Sequence, residues 1–140
     1  MITVNIVKDG VISTLKQRFP NTKIYGEEIK QGFRAPCFFV KLFPVSQRQV
    51  VGRRYKRFHS FDIHYFGESN EEMHDIADQL YDRMEYIPVN EDLLRGTKMN
   101  HEIVDGVLHF FVNYDFHIYK VTPAEEPMGD LTVNTGLNKG

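Results

Sequence analysis

Gly106-Val107-Leu108-His109-Phe110-Phe111-Val112-Asn113-Tyr114-Asp115-Phe116-His117-Ile118-Tyr119-Lys120-Val121 keeps a period of two from end to end. Leu108, Phe110, Val112, Tyr114, Phe116 and Ile118 fall on one side, and His109, Asn113, Asp115 and His117 on the other. That is the pattern of a long strand with one buried face. The preceding Asp105-Gly106 supplies the residue types of a two-residue hairpin turn, and Met99, His101 and Ile103 alternate with polar neighbours upstream. Residues 97–120 therefore read as a β-hairpin. A second stretch rhymes with the first: Phe61-Asp62-Ile63-His64-Tyr65-Phe66 repeats the order of Tyr114-Asp115-Phe116-His117-Ile118-Tyr119. The simplest account is two strands of one sheet, each with an apolar face inward and an Asp/His face outward.

A chain of 140 residues is long enough for one domain with a real core and short for two. Its one cysteine, Cys37, lies in the apolar run Cys37-Phe38-Phe39-Val40. No intrachain disulfide is possible, and the thiol is expected to be a small buried hydrophobe in a reducing, cytoplasmic setting. The N-terminus lacks the pattern of a signal peptide, and no apolar run reaches the ~20 residues of a membrane span. Charge is divided unevenly along the chain. Residues 1–67 hold 12 Lys/Arg and 4 Asp/Glu, whereas residues 68–140 hold 5 and 15. Halves of opposite charge favour head-to-tail association if they end on different surfaces, and cancel locally if they interleave.

Thr3 or Asn5 can cap a first helix in which Val4, Val7, Val11, Leu15 and Phe19 recur at helical spacing. Gly10 weakens that helix by roughly 1 kcal/mol relative to Ala. Pro20-Asn21 stops it, and residues 22–26 read as a short strand. The next strand lies within Phe33 to Val45, with Pro36 delaying regular pairing until Cys37. Residues 46–57 carry Arg48, Arg53, Arg54, Lys56 and Arg57 with no acid, and read as a long loop or hairpin tip leading into a strand from Tyr55 to Phe66. Ser69 or Asn70 caps a second helix, with Glu71 and Glu72 complementing its dipole. Its apolar stripe is Met73, Ile76, Ala77, Leu80, Tyr81 and Met84, and Pro88 is expected to end it. Leu93-Leu94-Arg95-Gly96 then reads as a turn. Beyond Val121, Pro and Gly punctuate a stretch too poor in apolar residues to fold alone, so residues 122–140 read as a flexible tail behind a domain of residues 1–121. The expected fold is α+β: a single, mainly antiparallel sheet of about four to five strands with two helices packed on one face.

The chain holds no Walker motif, dinucleotide fingerprint, Cys-x-x-Cys pair, His-Glu-x-x-His helix or nucleophile elbow, so no enzyme and no cofactor is expected. Asp62, His64, Asp115 and His117 could converge as metal ligands, but the same alternation arises on any wet strand face. Cross-strand Asp–His hydrogen bonds are the expected role, with no metal. The basic stretch, with Tyr55 and Phe58 interleaved, could hold phosphates and stack bases or could make an Arg-rich protein contact.

Lys23-Ile24-Tyr25-Gly26-Glu27-Glu28, Gln31-Gly32-Phe33 with Pro36-Cys37-Phe38-Phe39-Val40, Arg54-Tyr55 with His59-Ser60-Phe61-Asp62-Ile63-His64-Tyr65-Phe66, and Ile103-Val104-Asp105-Gly106-Val107-Leu108-His109-Phe110-Phe111 together resemble a family of small phage tail terminator proteins. These occur in phages and prophages of Gram-positive bacteria and in tail-like particles. The resemblance spans about residues 1–121. It implies a virion subunit, assembled in the host cytoplasm, that forms a hexameric ring on the head-proximal end of the tail tube. Such a ring stops tube polymerisation and meets the head-completion (connector) protein, with nucleic acid only passing through it and no membrane involved. The residues expected at subunit or partner contacts are Arg48, Arg53, Arg54, Lys56 and Arg57 on one side, and Asp75, Asp78, Asp82 and Glu85 on the other. The alternative is a small nucleic-acid-binding accessory protein using the basic loop 48–57, and a third reading is a metal-dependent enzyme at the Asp/His faces.

Overall fold

The computed structural model describes residues 2–26, 33–43 and 45–121. Helix α1 (Val4–Arg18) leads to β1 (Lys23–Tyr25), β2 (Cys37–Leu42), β3 (Ser46–Val51), β4 (Arg54–Phe58) and β5 (Ser60–Phe66). Helix α2 (Asn70–Arg83) follows, then β6 (Tyr86–Val89), β7 (Asp92–Val104), β8 (Val107–Tyr114) and β9 (Phe116–Tyr119). The chain is α+β and mainly antiparallel, but the single sheet of four to five strands is corrected. The described residues form a six-stranded sheet, β1-β2-β5-β8-β7-β6, and a three-stranded sheet, β3-β4-β9. They divide into two compact units, one of the described residues up to 45 with 59–115 and one of residues 46–58 with 116–121. The tail expected over 122–140 lies outside the described residues.

In the first unit both helices cover the same sheet face. Phe38, Tyr65 and Leu108 stand in one cross-strand row and Val40, Ile63 and Phe110 in the next, all buried. The α1 side reaches this face through Phe19, whose ring lies 5.0 Å from Phe38, and α2 reaches it through Tyr81, 4.9 Å from Phe110. The predicted stripes account for this: Val7, Val11 and Leu15 of α1 and Met73, Ala77 and Leu80 of α2 are buried. Gly10, a poor helix former, has a packing reason. A Cβ there would sit 2.9 Å from Val89 Cγ2, so α1 approaches β6 more closely than Ala allows.

Local signals placed most boundaries. Thr3 accepts a hydrogen bond from the Ile6 N–H at the start of α1, and Ser69 accepts one from the Glu72 N–H at the start of α2. Asp105 and Gly106 both take positive φ in the β7–β8 turn. The short strand β1 exists, although it pairs parallel with β2, and regular pairing of β2 begins at Cys37.

Three expectations are overturned and one is narrowed. Pro88 does not end α2, which stops at Arg83; it sits in β6, an edge strand where the missing N–H is tolerated. Leu93–Gly96 is not a turn but the first part of β7, and the real turn uses Asn90 at φ 56. The basic stretch, read as a long loop or a hairpin tip, is the second of these, the β3–β4 hairpin with Gly52 at φ 55 in its tip. The long strand through Val121 breaks at Asp115, and the strand from Tyr55 breaks at His59. The two rhyming hexapeptides therefore have different environments, the first lying wholly in β5 and the second straddling the end of β8.

Phe116 is accordingly half-buried and belongs to the second unit, whereas Phe110 is fully buried in the first. Phe110→Ala should lower unfolding free energy by about 3–5 kcal/mol, and Phe116→Ala by clearly less, as read from urea unfolding of the two variants. Equal losses would show that β9 is as deeply packed as β8.

The start of α2 makes a second expectation. Glu72 accepts from the Glu68 N–H at 2.8 Å and from the Tyr65 hydroxyl at 2.7 Å. The Glu68 N–H first and the Tyr65 hydroxyl next hold its carboxyl below the ordinary glutamate range, against the opposing pull of partial burial. A carboxylate depressed in the folded state stabilises above its unfolded pKa, and that contribution is lost as pH falls through the folded value. Glu72→Gln should therefore reduce the loss of thermal stability between neutral and acidic pH. An identical pH slope in variant and parent would show that these bonds carry no linkage.

Candidate functional site

The second unit carries the basic residues on a three-stranded sheet. Arg48 pairs with Lys56, Lys56 pairs with His117, and Arg54 pairs with Tyr119, so Arg48, Arg54 and Lys56 share one sheet face with His117. Arg57 projects from the other face, where its Nη2 donates to Gln47 Oε1 at 2.9 Å. Arg53 lies at the hairpin tip, and its carbonyl accepts from the Lys120 N–H at 2.9 Å. The aromatic rings are engaged by the cations themselves. The Arg48 guanidinium lies 5.4 Å and Lys56 Nζ 5.3 Å from the Phe58 ring, and Lys120 Nζ lies 4.6 Å from the Tyr55 ring. Among the described residues, none of Arg48, Arg54, Lys56 and Arg57 pairs with a carboxylate. Rings position the charges of Arg48 and Lys56 and an amide that of Arg57, without neutralising them, and Arg54 Nε is buried with no hydrogen-bond partner.

The acidic residues belong to the first unit. Glu71, Asp75, Asp78 and Asp82 are all exposed, and their spacing of four, three and four residues places them along one stripe of α2. Glu85 stands apart, beyond the helix end, with its carboxylate 3.9 Å from Arg95 Nε. Asp75, Asp78 and Asp82 thus form the coherent part of the predicted acidic set, Glu71 extends it, and Glu85 does not join it. Helical spacing from Asp75 is the sequence signal for Glu71.

The Asp/His residues do not gather as four. Asp115 closes the end of β8 by accepting from the His59 N–H at 3.2 Å, and His117 is exposed in β9 of the other unit. Asp62 and His64 instead meet His109, which the register sets directly across from His64. Asp62 Oδ2 lies 2.8 Å from His64 Nε2 and 3.0 Å from His109 Nδ1. The cross-strand Asp–His bond is therefore present, with His109 as its unforeseen member. Burial raises the Asp62 pKa, but the close approach of the His64 and His109 rings outweighs it and holds the carboxyl below its usual range. A second histidine pair lies elsewhere in the unit: His74 Nδ1 is 3.1 Å from His101 Nε2, and the Tyr81 hydroxyl is 2.9 Å from His101 Nδ1. Cys37 is fully buried, and burial pushes its thiol pKa up, the direction that suppresses the nucleophilic thiolate. No helix among the described residues is long and apolar enough to cross a membrane.

No curated protein matches the chain. A solved structure without a descriptive name aligns at 13% identity over 88% of this chain and 99% of the other, with a TM-score of 0.44, and no argument rests on it. The family model described as phage tail terminator protein matches residues 6–126, which takes in every strand of both sheets. That match covers most of the chain and agrees with the resemblance carried by the β1–β2, β4–β5 and β7–β8 segments, so the chain belongs to the phage tail terminator protein family, whose role in the phage tail is structural.

Proposed function

We propose that this protein assembles as a hexameric ring on the head-proximal end of the tail tube, stops tube polymerisation there and offers its outer surface to the head-completion protein. It works by binding alone, as a virion component, with no catalytic step. The observation that carries the reading is a pair of unlike surfaces. One is the Arg48, Arg54 and Lys56 face of the β3–β4 hairpin, and the other is the Glu71, Asp75, Asp78 and Asp82 stripe of α2. A surface of one sign on each copy, matched by the opposite sign on the next, drives repeated head-to-tail contact. Guanidinium groups suit such contacts because their stems cover apolar surface while the planar head binds carboxylates bidentately.

The nucleic-acid reading draws less support. Phe58 and Tyr55, the rings that would stack on bases, are engaged by Arg48, Lys56 and Lys120. A stacking platform needs free ring faces.

Arg48→Glu/Arg54→Glu should impair assembly and lengthen tails in a producing strain, and adding Asp78→Arg/Asp82→Arg should restore part of both. Tail lengths measured by electron microscopy decide the matter. Normal tails in the Arg double variant, together with a loss of salt-sensitive DNA binding, would replace this reading with the accessory-protein one.

A further inference from the structure

The Asp62, His64 and His109 cluster is not used by the ring contacts, and its internal bonding is incomplete. Asp62 and His64 stand two residues apart on β5 and so share a sheet face, the one turned away from the helices, while His109 faces them from β8. One ligand atom from each residue lies within 4.8 Å of the other two, so all three fit around one small ion. Two ring nitrogens converge on a single oxygen, Asp62 Oδ2. The other oxygen, Oδ1, is buried and has no hydrogen-bond partner, in a residue only 5% exposed. His64 Nε2 is also buried and, though 2.8 Å from the carboxylate, makes no aligned hydrogen bond with it. A simple Asp–His bond accounts for His109 and leaves those two atoms unexplained. Buried polar atoms without partners are rare in folded proteins.

We propose that Asp62, His64 and His109 form a binding site for a divalent transition-metal ion of the zinc class, cross-linking the two central strands β5 and β8. Two imidazole nitrogens and a carboxylate oxygen make a donor set suited to Zn²⁺, Co²⁺ or Ni²⁺. Mg²⁺ and Ca²⁺ favour oxygen-only shells. Metal–ligand bonds here require both facing nitrogens to be unprotonated, so affinity falls as the histidines protonate. Glu102 stands opposite His109 on β7, on the same face and exposed, where it can serve as a fourth donor in place of water. The His64 and His109 side chains are 17% and 23% exposed, which leaves the ion a path from solvent.

Full-length protein stripped with chelator and titrated with Co²⁺ alone should bind one equivalent, develop visible d–d absorption, and release the Co²⁺ to added Zn²⁺. His64→Ala and His109→Ala should each weaken binding by roughly tenfold or more, the scale at which even supporting residues of metal sites act. Asp62→Asn should do the same. A His74→Ala/His101→Ala variant should bind as the parent does, and Glu102→Ala should weaken affinity without abolishing it. Should the site variants not fold, the parent protein still decides: Zn²⁺ must shift the imidazole nitrogen resonances of His64 and His109 together at one equivalent. No binding, binding unaltered in His64→Ala and His109→Ala, or resonance shifts confined to His74 and His101 would overturn the proposal.

Discussion

The bonds between His59 and Tyr114 are the constraint on which the end of the larger sheet depends. His59 is fully buried, with Nδ1 3.1 Å from the Tyr114 carbonyl oxygen. Its own carbonyl accepts from the Tyr114 N–H at 2.8 Å, and its N–H donates to Asp115 Oδ1 at 3.2 Å. Both long strands stop being regular at this level: β5 begins at Ser60, which faces Asn113, and β8 ends at Tyr114. The backbone N–H and carbonyl groups of His59 and Tyr114 are thereby all paired. Tyr114 adds a further tie, donating its hydroxyl to the Met84 carbonyl at 2.6 Å, where α2 ends. Gly96 leaves room for this, since a Cβ there would meet Val112 Cγ2 at 2.9 Å and the Met84 carbonyl at 3.0 Å. A slip of one residue between β5 and β8 would turn their side chains to the wrong face of the larger sheet.

The elements most legible in the sequence were those whose signals are local. A turn needing positive φ announced itself in Asp105-Gly106, and capping residues with helical stripes fixed α1 and α2. The misread elements were decided by partners distant in the chain. Nothing in the alternation around Asp115 marks a break, because the period of two continues through Phe116 and Ile118 on a different sheet. Pro88 reads locally as a helix stop because its place in a strand depends on β6 being an edge, a property of strand order. The αL turn at Asn90 lies between residues with weak signals of their own, so Leu93 and Leu94 lost their strand. The same limit governed the Asp/His residues. Asp62 and His64 were visible as a pair, but choosing His109 over Asp115 and His117 required the register of β5 against β8.

Charge was legible in the same partial way. The division into a basic first half and an acidic second half reaches the structure in a concentrated form: a stripe of four carboxylates on α2, and three cations on one face of a small sheet. Two further cations have local uses. Arg18 and Arg83 bind each other's backbone where the two helices end, with Arg83 Nη1 2.8 Å from the Arg18 carbonyl oxygen. The Arg83 guanidinium also covers the Phe19 ring at 4.9 Å. Opposed net charges of the halves are thus an imperfect guide to opposed surfaces, because cations near helix ends are consumed as caps.

All six residues of β3 are exposed, and β3 is the outer strand of its sheet. Its free backbone groups could template strand addition by any extended segment, including β3 of another copy. A two-fold pairing of that kind would be antiparallel and would bring the two copies of Arg48, which lies mid-strand, close together. Repulsion between like charges on facing strands opposes that closed dimer. An approaching segment of opposite or no charge meets no such barrier, so the edge discriminates against its own kind while staying open to others.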